Sequence, residues 1–405
     1  MNKSILHWKS EHPSLIVSIL LIAGIYSGSY IIIPKLVLYI LLLISWCVLL
    51  ILNQLVNSSW LKSMMAICCL VLWGYSIVQI QANASISIIG LTDSFIQPLR
   101  NFILDKIDLF LLEPSNNHFA KALLIGQKND IDADIMEAYT SLGIVHIIAI
   151  SGMHIELITQ NLIKLSHWLP QKKWLQVIVA FLLISIVILY TLIANASPSI
   201  VRAAIFFCLF QIGSYFNLHK YVLNSIASGL LIVLLFDHQT IHHIGWQLSY
   251  AAVLGIHLLH PIIQSTIELK NPAIQSIWNN FSITLSTQIT TTPLLIFYFN
   301  TLSTGVILSN MIMIPLSNLL LQGLILLVIL PIYWNKTLYW GKIIEYYMQK
   351  TSQIVHYIFT ISPQPIQLGS IHIKYLLVYY AIFLYLCLWK KRYNQPLFRF
   401  STKMA

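Results

Sequence analysis

The stretch WLQVIVAFLLISIVILYTLIA, from Trp174 to Ala194, decides the class of fold. It contains no charged residue. At ~1.5 Å of rise per residue, a helix of this length matches the ~30 Å hydrocarbon core of a bilayer. A segment in lipid must satisfy its own backbone hydrogen bonds, so a continuous apolar run of this kind reads as a spanning helix. Working outward, comparable runs lie at Ser14 to Ile33, Leu36 to Leu52, Met64 to Ile80, Ala203 to Phe216, Leu223 to Phe236 and Tyr375 to Trp389. More polar stretches of similar length lie at Ile144 to Leu165, Ile244 to Leu259, Ile277 to Phe299, Gly305 to Leu330 and Ile343 to Ile361. Hydrophobic residues make up 58% of the chain and charged residues 9%, which excludes an ordinary soluble domain. An all-α, polytopic transmembrane bundle of about 10–12 spans is expected.

Cytoplasmic connections are enriched in Lys and Arg. Lys3 and Lys9, Lys62, Lys172 and Lys173, Lys220, Lys270, Lys336 and Lys342, and the tail Lys390, Lys391, Arg392, Arg399 and Lys403 fall on alternate connections. The opposite connections, Asn195 to Ser197, Asp237 to His242 and Ser362 to His372, carry neither residue. A multi-pass protein of the plasma (inner) membrane with both termini cytoplasmic is therefore expected, and part of the net charge of +10 reports topology. No signal-peptide cleavage pattern precedes Ser14 to Ile33, which reads as a retained first helix.

Four regions follow: an N-terminal three-helix membrane region at 1–80, an extracytoplasmic segment at 81–143, a polar channel core at 144–331, and C-terminal helices with a basic tail at 332–405. Gln81 to Gly143 carries eight acidic and four basic residues. Within it Phe95, Leu99, Phe102, Ile103, Ile107, Phe110 and Leu111 recur at helical spacing, opposite Gln97, Arg100, Asn101, Asp105 and Asp108. A helix lying on the membrane surface is expected there. Cys47, Cys68, Cys69, Cys208 and Cys387 form no CxxC pair and read as small packing residues.

The chemistry concentrates between Asn117 and Pro331; the two helices beyond are less distinctive. Ile144 to Leu165 holds His146, Ser151, Gly152, His154, Glu156, Thr159, Gln160 and Asn161. That is too polar for a lipid-facing helix, and Ser151 and Gly152 suggest a break that must be buried or wet. Glu156 and Arg202 are the acid and the arginine placed deep within spans. Each alone would cost about 2.5–3.5 kcal/mol at a helix centre, so their pairing, or a wet cavity, is expected. Ser197, Pro198 and Ser199 make a sharp helix start one turn before Arg202. Gln247 and Ser249 read as interior hydrogen bonders. Ser276, Asn280, Thr284, Thr287 and Thr291 recur every three or four residues, a hydroxyl face that either glues helices or wets a conduit. Pro293, and Asn310 with Pro315, suggest further helix breaks. Asp237, His238, His242 and His243 lack a metal-binding spacing, and no metal or cofactor is expected.

Several of these stretches together resemble a family. HFAKALLIGQK at 118–128, LGIVHIIAISGMHIELI at 142–158, PSIVRAAIF at 198–206, GWQLSYAAVLGI at 245–256, TTPLLIFYFNTLS at 291–303 and SNMIMIPLSN at 309–318 resemble, in order, the core motifs of ComEC competence proteins. The resemblance implies an inner-membrane channel that passes single-stranded DNA during natural transformation. It also implies pore-lining or helix-breaking roles for Ser151, Gly152, His154, Pro198, Ser199, Arg202, Gln247, Ser249, Asn310 and Pro315. To these the composition adds Glu156, Asn280, Thr284, Thr287 and Thr291. Implied partners are DNA in transit, membrane lipids and a separate nuclease, DNA receptor or cytoplasmic helicase. The OB-like and metallo-β-lactamase-like domains common in that family have no counterpart expected here. Glu156 stands where the family more often has a small residue.

Glu156, Arg202 and the broken helices also fit a secondary transporter of a small anion. An enzyme using His154 or His146 as general base lacks a nucleophile, a metal set and a second acid. No catalytic residue is expected.

Overall fold

The computed structural model describes residues 13–28, 71, 73–74, 89–166, 168, 172–215, 222–236, 238–267, 270–331 and 335–393. The expected span Leu36 to Leu52, most of Met64 to Ile80, Cys47, Cys68 and Cys69, and the charges at Lys3, Lys9, Lys62, Lys220, Arg399 and Lys403 lie outside them.

The described chain is helical almost throughout, with α1 (Pro13–Gly28), α2 (Ile89–Phe110), α3 (Pro114–Ile125), α4 (Ala133–Ser141), α5 (Val145–Ile148), α6 (Gly152–Ser166), α7 (Lys173–Ile193), α8 (Pro198–Tyr215) and α9 (Val222–Phe236). A 3-10 turn at His238–His242 precedes α10 (Ile244–Leu258), α11 (His260–Gln264), α12 (Pro272–Phe299), β1 (Thr301–Leu302), α13 (Val306–Ile329), α14 (Asn335–Ile361), β2 (Ile366–Gln367) and α15 (Ile373–Tyr393). By length and composition three described helices can cross a bilayer: Trp174–Ile193, Ile244–Gln264 and Val306–Ile329. Shorter apolar helices cover Pro198–Gly213, Leu223–Leu235 and Ile373–Cys387. This is the expected all-α membrane architecture.

Contacts divide the chain into two units. The first comprises Met1–Asp93, Pro170–Ile188 and Val201–His243. In it α1 packs on α9, and the buried Ser18 hydroxyl donates to the Ala227 carbonyl at 3.0 Å. Gly229 meets the Phe206 ring, 3.0 Å from where a Cβ would stand. Small residues thus bring these helices together, as lipid-embedded packing requires.

The second unit comprises Ser94–Leu169, Leu189–Ile200 and Ile244–Ala405; in it α12 packs against α10, α11, α13 and α15, and α13 packs against α3, α6, α12 and α14. Helix α14 returns antiparallel along α13. Thr337 Oγ1 donates to Pro331 O at 2.8 Å, Trp340 Nε1 to Gly323 O at 3.0 Å and Tyr347 Oη to Leu316 O at 3.1 Å. At the far end Gly305 meets the Ser362 side chain. The inner face of α14, Thr337, Ile344, Met348, Thr351, Val355 and Ile358, is buried at spacings of three, four or seven. One core cluster joins Leu320, Leu321, Leu324 and Leu327 to Ile107, Phe110, Leu123 and Ile344, and a second joins Met313 to Leu142, Ile147 and Val355. β1 and β2 pair antiparallel and tie the α12–α13 turn to the α14–α15 turn.

Helix α2 is amphipathic as the sequence indicates, but its apolar face meets protein. Ile96, Ile107 and Phe110 are buried with Leu99 and Ile103 packed beside them, while Phe95, Phe102 and Leu109 form a separate exposed strip. The buried Lys106 donates to the carbonyls of Leu327 at 3.3 Å, Val328 at 2.6 Å and Leu330. These carbonyls end α13 and have no helical partner, so a cation there satisfies them and complements the helix dipole.

Lys106 lies at the C-terminal end of α13, whereas Gly143 meets Val306 and Ser303 at its N-terminal end. Residues 106–143 therefore run the ~36 Å length of α13. Arg100 donates to Ile193 O at 3.1 Å and to Asn195 Oδ1, six residues or ~9 Å of helix from Lys106. One short segment of α2 thus holds both the Asn195–Ser197 turn and the C-terminal end of α13.

The expected breaks at Pro293 and Pro315 are absent: α12 and α13 run through both prolines. Pro293 supplies no N–H for the Ile289 carbonyl. That carbonyl accepts instead from Tyr379 Oη at 2.7 Å, and its neighbour Thr290 O accepts from Tyr380 Oη at 2.6 Å, both on α15. A neighbouring helix replaces the lost bond, and the helix continues.

Candidate functional site

The Ile144 to Leu165 stretch is broken, as the sequence suggests. α5 ends at Ile148, Ala149 is extended, and α6 starts at Gly152. At ~22 Å, α6 is too short to span the hydrocarbon core alone. Its start is fixed by His154, which is fully buried: Nδ1 accepts the Ser151 N–H at 3.2 Å and lies 3.4 Å from Ser151 Oγ. His154 therefore holds the helix start. Gly152, His146 and Glu156 are exposed, and Glu156 Oε1 accepts from Gln160 Nε2 at 2.8 Å.

Pro198 opens α8 after a tight turn in which Asn195 (φ 57°) and Ala196 (φ 45°) are left-handed. That conformation is uncommon for alanine and marks a constrained turn. Ser199 is half-buried and Arg202 is buried. Arg202 belongs to the first unit and Glu156 to the second.

Helices α10, α12 and α13 gather most of the remaining candidates. Gln247 Oε1 accepts from Tyr298 Oη at 2.9 Å, and Ser249 is half-buried beside it in sequence. Gly255 lets α10 approach α12 closely: a Cβ there would stand 2.6 Å from Ser286 O and closer still to Thr290 Oγ1. Helix α12 thus has two buried hydroxyl rows. Ser282, Ser286 and Thr290 include the contact with Gly255; Thr284 and Thr291 are buried on another side, with Thr287 and Asn280 half-buried. The sequence identified the second row and missed the first, although its four-residue spacing and the Ala251–Gly255 pair were visible. Most of these hydroxyls bond carbonyls of their own helix, including Thr287 to Thr284 O and Thr291 to Thr287 O, both at 2.8 Å. Such local bonds leave a hydroxyl's acceptor side available.

On α13, Ser309 Oγ, Asn310 Oδ1 and Asn318 Oδ1 are buried with no hydrogen-bond partner among the described residues; Pro315 is exposed. Buried polar atoms without partners mark places where water or a polar ligand completes the bonding. Among the described residues no group of three His, Cys, Asp or Glu is placed to hold a metal ion.

The outer face of α14 is the feature that the sequence reading passed over. Tyr339, Lys342, Tyr346, Gln349, Lys350, Gln353, Tyr357 and Thr360 are exposed and recur every three or four residues. The hydrogen bonds to α13 place Lys350, one turn beyond Tyr347, opposite about Met313, about 7 Å from the middle of α13. Other exposed helix faces are richer in hydrocarbon, with Ile178, Phe181 and Leu182 on α7, Leu319 and Leu326 flanking Gln322 on α13, and Leu377, Ile382 and Leu386 on α15, while the α14 face itself includes Ile343. A lysine facing lipid at that depth costs about 2.5–3.5 kcal/mol, with two glutamines beside it adding to the penalty.

Residues 123–393, about two thirds of the chain, match the Competence protein family. The chain belongs to that family. It is similar to ComE operon protein 3 of Bacillus subtilis (strain 168), with 27% identity over 248 residues, 60% of this chain and 30% of that relative. The chain thus spans less than a third of that relative's length. No solved structure matches it. The match begins within α3 and ends with α15, so it takes in α13, its partners and α14.

Proposed function

We propose that this membrane protein is an inner-membrane channel component that passes single-stranded DNA during natural transformation. The observation that carries the reading is the set of buried, unpartnered polar atoms on α13, at Ser309, Asn310 and Asn318, inside a helix otherwise apolar enough to span the bilayer. They call for water or a polar cargo at membrane depth. The broken α5–α6 pair and the hydroxyl rows of α12 add polar surface to the same unit. Ser151, Gly152, His154, Glu156, Pro198, Ser199, Gln247, Ser249, Asn280, Thr284, Thr287, Thr291, Asn310 and Pro315 line or shape that path, and the protein performs no chemical step itself.

In this reading both termini are cytoplasmic. The basic end of α15 and the Lys336–Lys342 connection share one side, because α14 and α15 run out and back from it. Membrane lipids surround the apolar faces, and a nuclease, a DNA receptor and a cytoplasmic helicase act as separate partners. Deleting the gene from a transformable host should abolish internalisation of fluorescently labelled DNA while leaving surface binding intact. Internalisation equal to the parent strain would refute the reading.

A further inference from the structure

We infer that the outer face of α14 is a binding track for the single strand, an inference that rests on the channel reading above and deepens it. Along α14 the stripe from Tyr339 to Thr360 covers 21 residue steps, ~32 Å, close to the full hydrocarbon thickness. Its chemistry suits a sequence-independent strand. Lys342 and Lys350 supply cations for phosphates, Tyr339, Tyr346 and Tyr357 supply faces on which any base can stack, and Gln349 and Gln353 supply neutral donors and acceptors. Lys350 Nζ lies 5.5 Å from the Tyr346 ring centroid and donates to Gln353 Oε1 at 3.1 Å, so cation, ring and amide form one patch. The one acid on α14, Glu345, flanks the stripe, three residues after Lys342 and four before Gln349, and its Oε1 accepts the Glu113 N–H at 2.8 Å. With two lysines on the stripe and the flanking carboxylate taken up by a backbone N–H, the face is net positive, which complements a polyanion.

The occupant is single-stranded DNA rather than lipid, because phospholipid headgroups sit at the interfaces and would reach only the ends of a stripe this long, whereas Lys350 lies about 7 Å from the middle of α13. A second copy of the chain would have to offer acids opposite Lys342 and Lys350. Among the described spanning helices α7, α10 and α13 no acid is present to do so.

The test uses the full chain in transformable cells. Benzoylphenylalanine is placed at Gln353 and, as controls, at Phe181 and Leu386; labelled DNA is supplied and the cells are irradiated. Gln353 should give a nuclease-sensitive protein–DNA adduct during uptake, and the controls none. Lys350→Glu should reduce uptake at least tenfold at normal membrane abundance, and Lys350→Arg should retain it. If the gene is required for uptake, yet Gln353 crosslinks only lipid or another copy, or Lys350→Glu transforms normally, the track is refuted and the channel reading stands. If deletion of the gene leaves uptake intact, both fall together.

Discussion

Replacing Tyr379 and Tyr380 with phenylalanine should weaken the second unit only while Pro293 is present. Pro293 leaves the Ile289 carbonyl without its helical donor, and the Tyr379 hydroxyl fills that place at 2.7 Å, with Tyr380 on Thr290 O at 2.6 Å. Removing both hydroxyls leaves the Ile289 carbonyl unmet, whereas Thr290 O keeps the Leu294 N–H of its own helix. An unmet buried acceptor costs about 1–3 kcal/mol in soluble proteins, whereas side-chain bonds between membrane helices average about 0.6 kcal/mol. Tyr379 is partly exposed, which favours the lower figure. The double variant should therefore lose about 1 kcal/mol, roughly a fivefold change in the unfolding equilibrium. In a Pro293→Ala background the restored Ala N–H serves Ile289 O, and the same double replacement should cost about half as much or less. The assay is reversible unfolding in mixed micelles, followed by tryptophan fluorescence for all four proteins of the cycle. Equal losses in the two backgrounds would show that the tyrosines do not substitute for the missing proline donor.

Three further outcomes follow from packing and charge. Gly255→Val puts side-chain atoms where Ser286 O and Thr290 Oγ1 already stand, so it should destabilise by at least the ~1–3 kcal/mol of an overpacked core, read as a lower midpoint in the same unfolding assay. Gly245→Ala, whose Cβ would meet nothing within 4 Å, is the matched control and should change little. Lys106→Met leaves the α13 end carbonyls without their cation, and hydrogen exchange should rise at Leu327 to Leu330 and along α2; unchanged protection would mean that the contact does not hold α2 in place. The fourth concerns acid. Burial raises the Asp108 pKa, but hydrogen bonds from Lys121 at 2.6 Å and Asn117 at 2.8 Å, with the charges of Lys121 and His118, outweigh it and hold the carboxyl below its usual range. A lowered folded-state pKa contributes stability above the unfolded value of ~3.9 that is lost as pH falls through the folded value. Asp108→Asn should thus lower stability slightly at pH 7 and narrow its gap to the parent below pH 4. The carboxyl is half exposed, so the change should be small, and a gap that widens in acid would contradict the assignment.

The sequence by itself determined the class of fold and the family. Trp174 to Ala194 can only be satisfied as a helix in lipid, and composition extends that conclusion along the chain. The ordered motifs from His118 to Asn318 identified the family because they depend on residue identity alone. The break near Ser151 and Gly152 was also legible, since small polar residues inside an apolar run make a local signal.

Tertiary structure alone decided what each polar group faces. Pro293 reads as a break until α15 brings Tyr379 and Tyr380 to its freed carbonyls. Arg100 and Lys106 read as charges on a surface helix until they are seen on the ends of α7 and α13. The stripe on α14 has a period that any eye could find. Its meaning came only when the bonds from Trp340 and Tyr347 to α13 placed Lys350 about 7 Å from the middle of a spanning helix. A sequence records period and composition, whereas depth and partner are relations between segments far apart in the chain. In a medium without water, those relations set the energy of every polar atom.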